Sequence, residues 1–87
     1  MNRIETTKKF DKQFSKLNPK LKQKFKERSV VLLTNPENPI LNNHALVGIY
    51  RGYNSINVTG DLRALYFKKG NTVIIFAFIG THSQLYA

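Results

Sequence analysis

The sequence contains no cysteine, five acidic residues, and no apolar run longer than the seven residues VIIFAFI, Val73 to Ile79. Without cysteine there is neither a disulfide framework nor a thiolate metal site. A chain lacking both fits a reducing cytosol, so a cytoplasmic location is expected. Seven apolar residues fall far short of the ~20 that span a bilayer. The opening MNRIETTKKF has no apolar stretch of signal-peptide length, and no membrane partner is expected. Histidine is scarce, at two residues, and no acid stands beside either at metal-ligand spacing, so neither a metal nor a cofactor is expected. A phosphate-cradling glycine loop, an internal repeat and a low-complexity stretch are also missing.

What the sequence does have is positive charge. Fourteen Lys and Arg against five Asp and Glu give a net charge of +9 and a pI near 10.1. That is more than solubility requires and points to a polyanion or an acidic protein as partner. At 87 residues the chain has room for a single domain over residues 1–87, with one modest core.

Residues 3–6, RIET, read as a short first strand. Thr7 has the character of a helix N-cap, and Phe10, Phe14 and Leu17 recur at the spacing of one helical face. Asn18-Pro19 is a cap followed by a first-turn proline and starts a second helix. That helix should reach about Thr34, where NPENP breaks it. Lys8, Lys9, Lys12, Lys16, Lys20, Lys22, Lys24, Lys26 and Arg28 fall on the outer faces. Residues 40–53 read as a loop with extended pieces. Asn54–Val58, Asp61–Lys68 and Thr72–Ile79 read as three strands joined by tight turns. The last is apolar on both faces, as an inner strand covered by helices would be. The predicted class is α+β, in the order β-α-α-β-β-β. A helical hairpin packs on an antiparallel sheet of about four strands.

Both histidines fall in loops at the ends of this sheet, where sites are commonly built. Alternation puts Asp61, Arg63, Leu65 and Phe67 on one face of the middle hairpin strand, and gives Ser55 and Asn57 a common face on the strand before it. Asn57, Asp61 and Arg63 can therefore gather at one end of the sheet, although a solvated Asp–Arg pair accounts for the same pattern. Two imidazoles, a carboxylate and a guanidinium suit cleavage of RNA without a metal. A base takes the 2′-OH proton, an acid protonates the leaving 5′-oxygen, and a cation steadies the charged transition state. An imidazole can fill either proton role.

The stretches HALVGIYRGYNSINVTGDLRALYF (44–67) and GTHSQLY (80–86) resemble the RelE/ParE superfamily of bacterial toxins, most closely its YafQ-like branch. His44, Leu46, Gly48, Gly52, Asp61, Tyr66, Gly80, Thr81, His82, Ser83 and Leu85 fall in register with that branch. The resemblance implies a type II toxin that cuts messenger RNA on the translating ribosome, with ribosomal RNA and a cognate antitoxin as further partners. It implies catalytic roles for His44, Asp61 and His82, and an aromatic contact at Tyr86. Two positions depart from the branch. Asn57 replaces a second strand histidine, and an amide cannot shuttle protons. Phe78 replaces an arginine, and Arg63, in GDLRALY, is positioned to supply the missing cation. Arg51, Asn57, Tyr86, Lys8 and Lys12 are the expected substrate contacts. Two other functions are carried beside this one: a non-enzymatic ParE-like inhibitor of DNA gyrase, and a catalytically impaired member that only binds its antitoxin.

Overall fold

Two side-chain caps organise the helical half. In the computed structural model, which describes residues 3–86, the Thr7 hydroxyl accepts from the Phe10 amide at 3.1 Å and opens helix α1, Lys8–Ser15. The Asn18 side-chain oxygen accepts from the Leu21 amide at 2.9 Å and opens α2, Pro19–Thr34, with Pro19 in its first turn. Each cap satisfies an amide that has no partner inside the helix. Strand β1 spans Arg3–Thr6, and α2 stops at Thr34 ahead of the two prolines, both as the sequence predicts.

The second half supplies β2 (His44–Ala45), β3 (Asn54–Asn57), β4 (Leu62–Lys69), β5 (Val73–Thr81) and a short helix α3 (His82–Tyr86). The sheet order is β1-β5-β4-β3-β2. Two features differ from expectation. The sheet has five strands rather than about four, because residues 44–45, in a stretch read mainly as loop, pair with β3. It is also mixed rather than antiparallel. β1 lies parallel to β5, from Arg3 beside Val73 to Thr6 beside Phe76, because the helical hairpin acts as a crossover that lets both strands run the same way.

The core lies between the helices and one face of the sheet. Phe10, Phe25 and Phe76 form its aromatic centre, with ring centroids 4.9–5.7 Å apart. Ile56, Val58, Leu62, Ala64 and Tyr66 line the same side, all 4% exposed or less. β5 does not alternate cleanly. Leu65 of β4 pairs with Phe78 and Tyr66 with Phe76, so Ala77 has no partner on β4. This bulge sends Phe76 into the helix-side core and leaves Phe78 on the opposite, open face. The Thr7 hydroxyl donates to the Ala77 carbonyl at 3.0 Å and so satisfies the displaced peptide.

Candidate active site

The open face of the sheet ends in a cleft of about 500 Å³ lined by Asn42, His44, Leu46, Val47, Ser55, Arg63, His82 and Tyr86. Three elements far apart in sequence meet there: β2, the hairpin β3–β4, and α3 at the end of the chain.

His44 enters from β2, opposite Ser55 of β3. Its imidazole Nδ1 lies 2.7 Å from the backbone carbonyl of Asn42. A carbonyl only accepts, so Nδ1 carries a proton, and Nε2 is the ring nitrogen left for other contacts. Asn42 can aim that carbonyl because it sits in the left-handed region, at φ 45° and ψ 46°, which asparagine tolerates. The next residue is anchored from behind. The Tyr66 hydroxyl donates to the Asn43 side-chain oxygen at 2.8 Å, and the Asn43 amide nitrogen donates to the Pro36 carbonyl at 3.1 Å. Burial raises the pKa of Tyr66 above 10.0.

Arg63 projects from β4 on the open face, beside Asn57 on one strand and Gly80 on the other. Its Nη1 donates to the Gly60 carbonyl at 2.8 Å and to the Thr59 carbonyl at 3.3 Å. The guanidinium is thus held by the β3–β4 turn. The pairing with Asp61 that alternation allows is not formed: among the described residues the ion pair is Arg3–Glu5. Asp61 is exposed on the turn and does not line the cleft. Asn57 is part-buried outside the lining, and its Oδ1 is buried without a hydrogen-bond partner.

His82 begins α3, and its ring stands 4.7 Å from that of Tyr86, one turn later. The Tyr50 hydroxyl donates to the Leu85 carbonyl at 2.7 Å and ties the helix to the turn after β2. Tyr50 also packs edge-on against Phe78 and Tyr86, at 5.6 and 5.4 Å. Tyr53 bridges Phe78 and Phe67. Phe78, at the arginine position of the YafQ-like pattern, is therefore part of a second, smaller aromatic core on the open face. Burial raises the pKa of Tyr86, neighbouring Tyr50 raises it further, and Arg63 opposes the shift, which puts the guanidinium within electrostatic reach of the phenol.

The cleft thus brings together His44, Arg63, His82 and Tyr86 of the expected set, and leaves Asp61, Asn57 and Arg51 outside its lining. Lys8 and Lys12 are exposed on α1, away from it. Sequence reasoning passed over Asn42, Val47 and Ser55 as lining and Tyr50 as an anchor. The glycines Gly48 and Gly52, at φ +73° and +97°, were the local signals for the bend that carries Tyr50. No three His, Asp or Glu side chains among the described residues gather where a metal ion would need them. No described helix is long and apolar enough to cross a membrane.

Comparison with solved structures places this architecture among the RelE/ParE-fold toxins. YafQ from E. coli superposes with a TM-score of 0.83 at 23% identity over 100% of both chains. The E. coli DinJ–YafQ toxin–antitoxin complex contains a chain matching with a TM-score of 0.80 at 23% identity, covering 99% of this chain and 98% of that one. The RelBE2 toxin–antitoxin complex of Mycobacterium tuberculosis matches with a TM-score of 0.74 at 17% identity, over 93% and 98%. A search of curated proteins gave no match. The family model described as the bacterial toxin of type II toxin-antitoxin system, YafQ, matches residues 2–87, and the chain belongs to that family.

Proposed function

We propose that this toxin, a single domain over residues 1–87, is an endoribonuclease that cuts messenger RNA on the translating ribosome. The observation that carries the reading is the cleft itself. It holds two imidazoles, one with its Nε2 free, beside a guanidinium fixed by carbonyls. His44 Nε2 takes the proton of a 2′-OH. The freed O2′ attacks the adjacent phosphorus and the P–O5′ bond breaks. His82, entering as imidazolium, gives its proton to O5′. The products are a 2′,3′-cyclic phosphate and a 5′-hydroxyl. Arg63 steadies the charge that grows on the phosphate, where a fixed donor acts most strongly. Tyr86, more exposed than its neighbours in the aromatic cluster, stacks on a base. Base, acid and cation all come from side chains, so the step requires no metal.

His44 rather than Asp61 is assigned the base, because His44 lines the cleft with its Nε2 available and Asp61 does not line it. Lys8, Lys12 and Arg51 are exposed and contribute to a salt-sensitive attraction for ribosomal RNA. Asn57, outside the lining with its Oδ1 buried, flanks Arg63 on the neighbouring strand and borders the substrate path from there. The site of action is the cytoplasm, where the message is. The E. coli and M. tuberculosis relatives were solved as toxin–antitoxin complexes, and a net charge of +9 suits an antitoxin segment rich in acidic and apolar residues.

The test is translation in a cell-free extract with purified protein, followed by primer extension on the message. Cleavage within codons, reduced by roughly two to four orders of magnitude in His82→Ala with the protein still folded, is the expected result. Intact message with blocked DNA supercoiling would point to a ParE-like gyrase inhibitor instead. No effect on either would point to an impaired member.

A further inference from the structure

His82 is exposed and sits in a helix of only five residues, yet it must hold one geometry in the cleft. A helix that short has no stability of its own, since nucleation is the costly step. Something outside the helix must fix it. Its C-terminal end is tied by Tyr50. At its N-terminal end two reciprocal hydrogen bonds bracket the histidine. The Thr81 amide donates to Gln84 Oε1 at 2.9 Å, and the Gln84 amide donates to Thr81 Oγ1 at 3.2 Å. Thr-x-x-Gln in this arrangement is a capping box. His82 occupies the first helical position inside it. A Cβ on Gly80 would lie 3.1 Å from Gln84 Oε1 and 3.4 Å from Gln84 Cβ, so the glycine before the box keeps the space that the clip needs.

We propose that Thr81 and Gln84 form a clip that positions His82 in the cleft, with Gly80 leaving it room, since a Cβ there would press on the Gln84 side chain. Gln84 touches neither substrate nor reacting atoms: it is a positioning residue acting through His82. The inference rests on the reading of His82 as the general acid, but its geometric half is testable without RNA cleavage. Misplacing a catalytic group by about 1 Å is enough to lose on the order of 100-fold in rate. Gln84→Ala removes the accepting oxygen and keeps the backbone. Gln84→Glu keeps an oxygen at the same place.

Two measurements on the full-length toxin decide it. In NMR spectra, Gln84→Ala should speed exchange of the Thr81 amide at least ~10-fold and reduce the Tyr86 ring-current shift on the His82 imidazole, the rings now being 4.7 Å apart. Gln84→Glu should restore both. In single-turnover cleavage on programmed ribosomes, Gln84→Ala should lower kcat roughly 10- to 100-fold with KM unchanged, and Gln84→Glu should recover most of the rate. In a His82→Ala background the same substitution should cost nothing further, because the clip then has nothing to position. An unchanged Thr81 amide and His82 shift overturn the proposal whether or not the wild type cuts RNA. A rate loss that persists in the His82→Ala background overturns it too, by showing a merely structural role. A wild-type protein that cuts nothing while the NMR changes appear would leave the clip standing and remove the nuclease reading.

Discussion

Replacing Arg63 tests the charge-stabilising half of the cleft most directly. Its Nη1 is engaged by two turn carbonyls, at 2.8 Å from Gly60 and 3.3 Å from Thr59. That leaves Nε and Nη2 to meet a phosphate. Loss of one fixed donor to a developing anion costs about 10²- to 10³-fold in kcat, or ~3–4 kcal/mol. Arg63→Ala should fall in that range. It should also loosen the β3–β4 turn, since a hydrogen bond from a charged group is worth about 1.5–3 kcal/mol at most, and less at this half-exposed position. For a domain of this size the melting temperature should drop by about 5 °C. Arg63→Lys separates the two effects. One ammonium cannot hold the turn carbonyls and fork across a phosphate together. It should restore much of the melting temperature and less than about tenfold of the rate. The assay is single-turnover cleavage of end-labelled message on programmed ribosomes, read beside a thermal melt. Cleavage by Arg63→Ala within threefold of wild type, or full rescue of rate by lysine, would refute the assignment.

Two further expectations follow from the same geometry. His44→Ala should lower cleavage by roughly two to four orders of magnitude, whereas Asp61→Asn should stay within threefold; the reverse ranking in the same assay would make the carboxylate the base. The raised pKa of Tyr66 makes a statement about stability at alkaline pH. The folded state holds that phenol proton more tightly, so its contribution is present below pH 10.0, the ordinary value, and is lost as pH rises through the higher folded value. Alkaline denaturation followed by circular dichroism should therefore be shallower above pH ~10 in Tyr66→Phe, although the mutant loses stability at neutral pH through the orphaned Asn43 oxygen.

Local chemistry made much of the fold legible. Thr7, Asn18-Pro19 and NPENP each act within a few residues, and each starts or stops a helix where composition says it should. Alternation likewise placed Arg63 on the face away from Leu62, Ala64 and Tyr66. What stayed hidden was non-local or too short to carry a period. Four residues of β1 say nothing about which strand they join or in which direction. Two residues of β2 show no alternation. His82 read as a loop residue after the last strand, although Thr81-x-x-Gln84 carries the signature of a short helix. Asp61 lies two residues from Arg63, and alternation alone suggested a pair. The turn carbonyls of Thr59 and Gly60, invisible in a one-letter string, bond the guanidinium instead. The proton held on His44 Nδ1 depends on the backbone angles of Asn42, which sequence does not state.

The unpaired residue Ala77 makes β5 a strand with a shifted frame. Upstream of it, residues 73–76 keep step with β1. Downstream, residues 78–81 keep step with the half of β4 that carries Arg63. Deleting Ala77 would join the two halves without moving either, because Phe76 would stay opposite Tyr66 and Phe78 opposite Leu65. The acceptor of the Thr7 hydroxyl would be lost with it. Deleting Ile75 instead would slide Ala77 into the place of Phe76 opposite Tyr66 and turn the Phe76 ring out of the core, where it packs on Phe25. A single-codon loss at Ala77 should therefore be tolerated far better than one at Ile75, a ranking that growth inhibition by the two deletion variants would read.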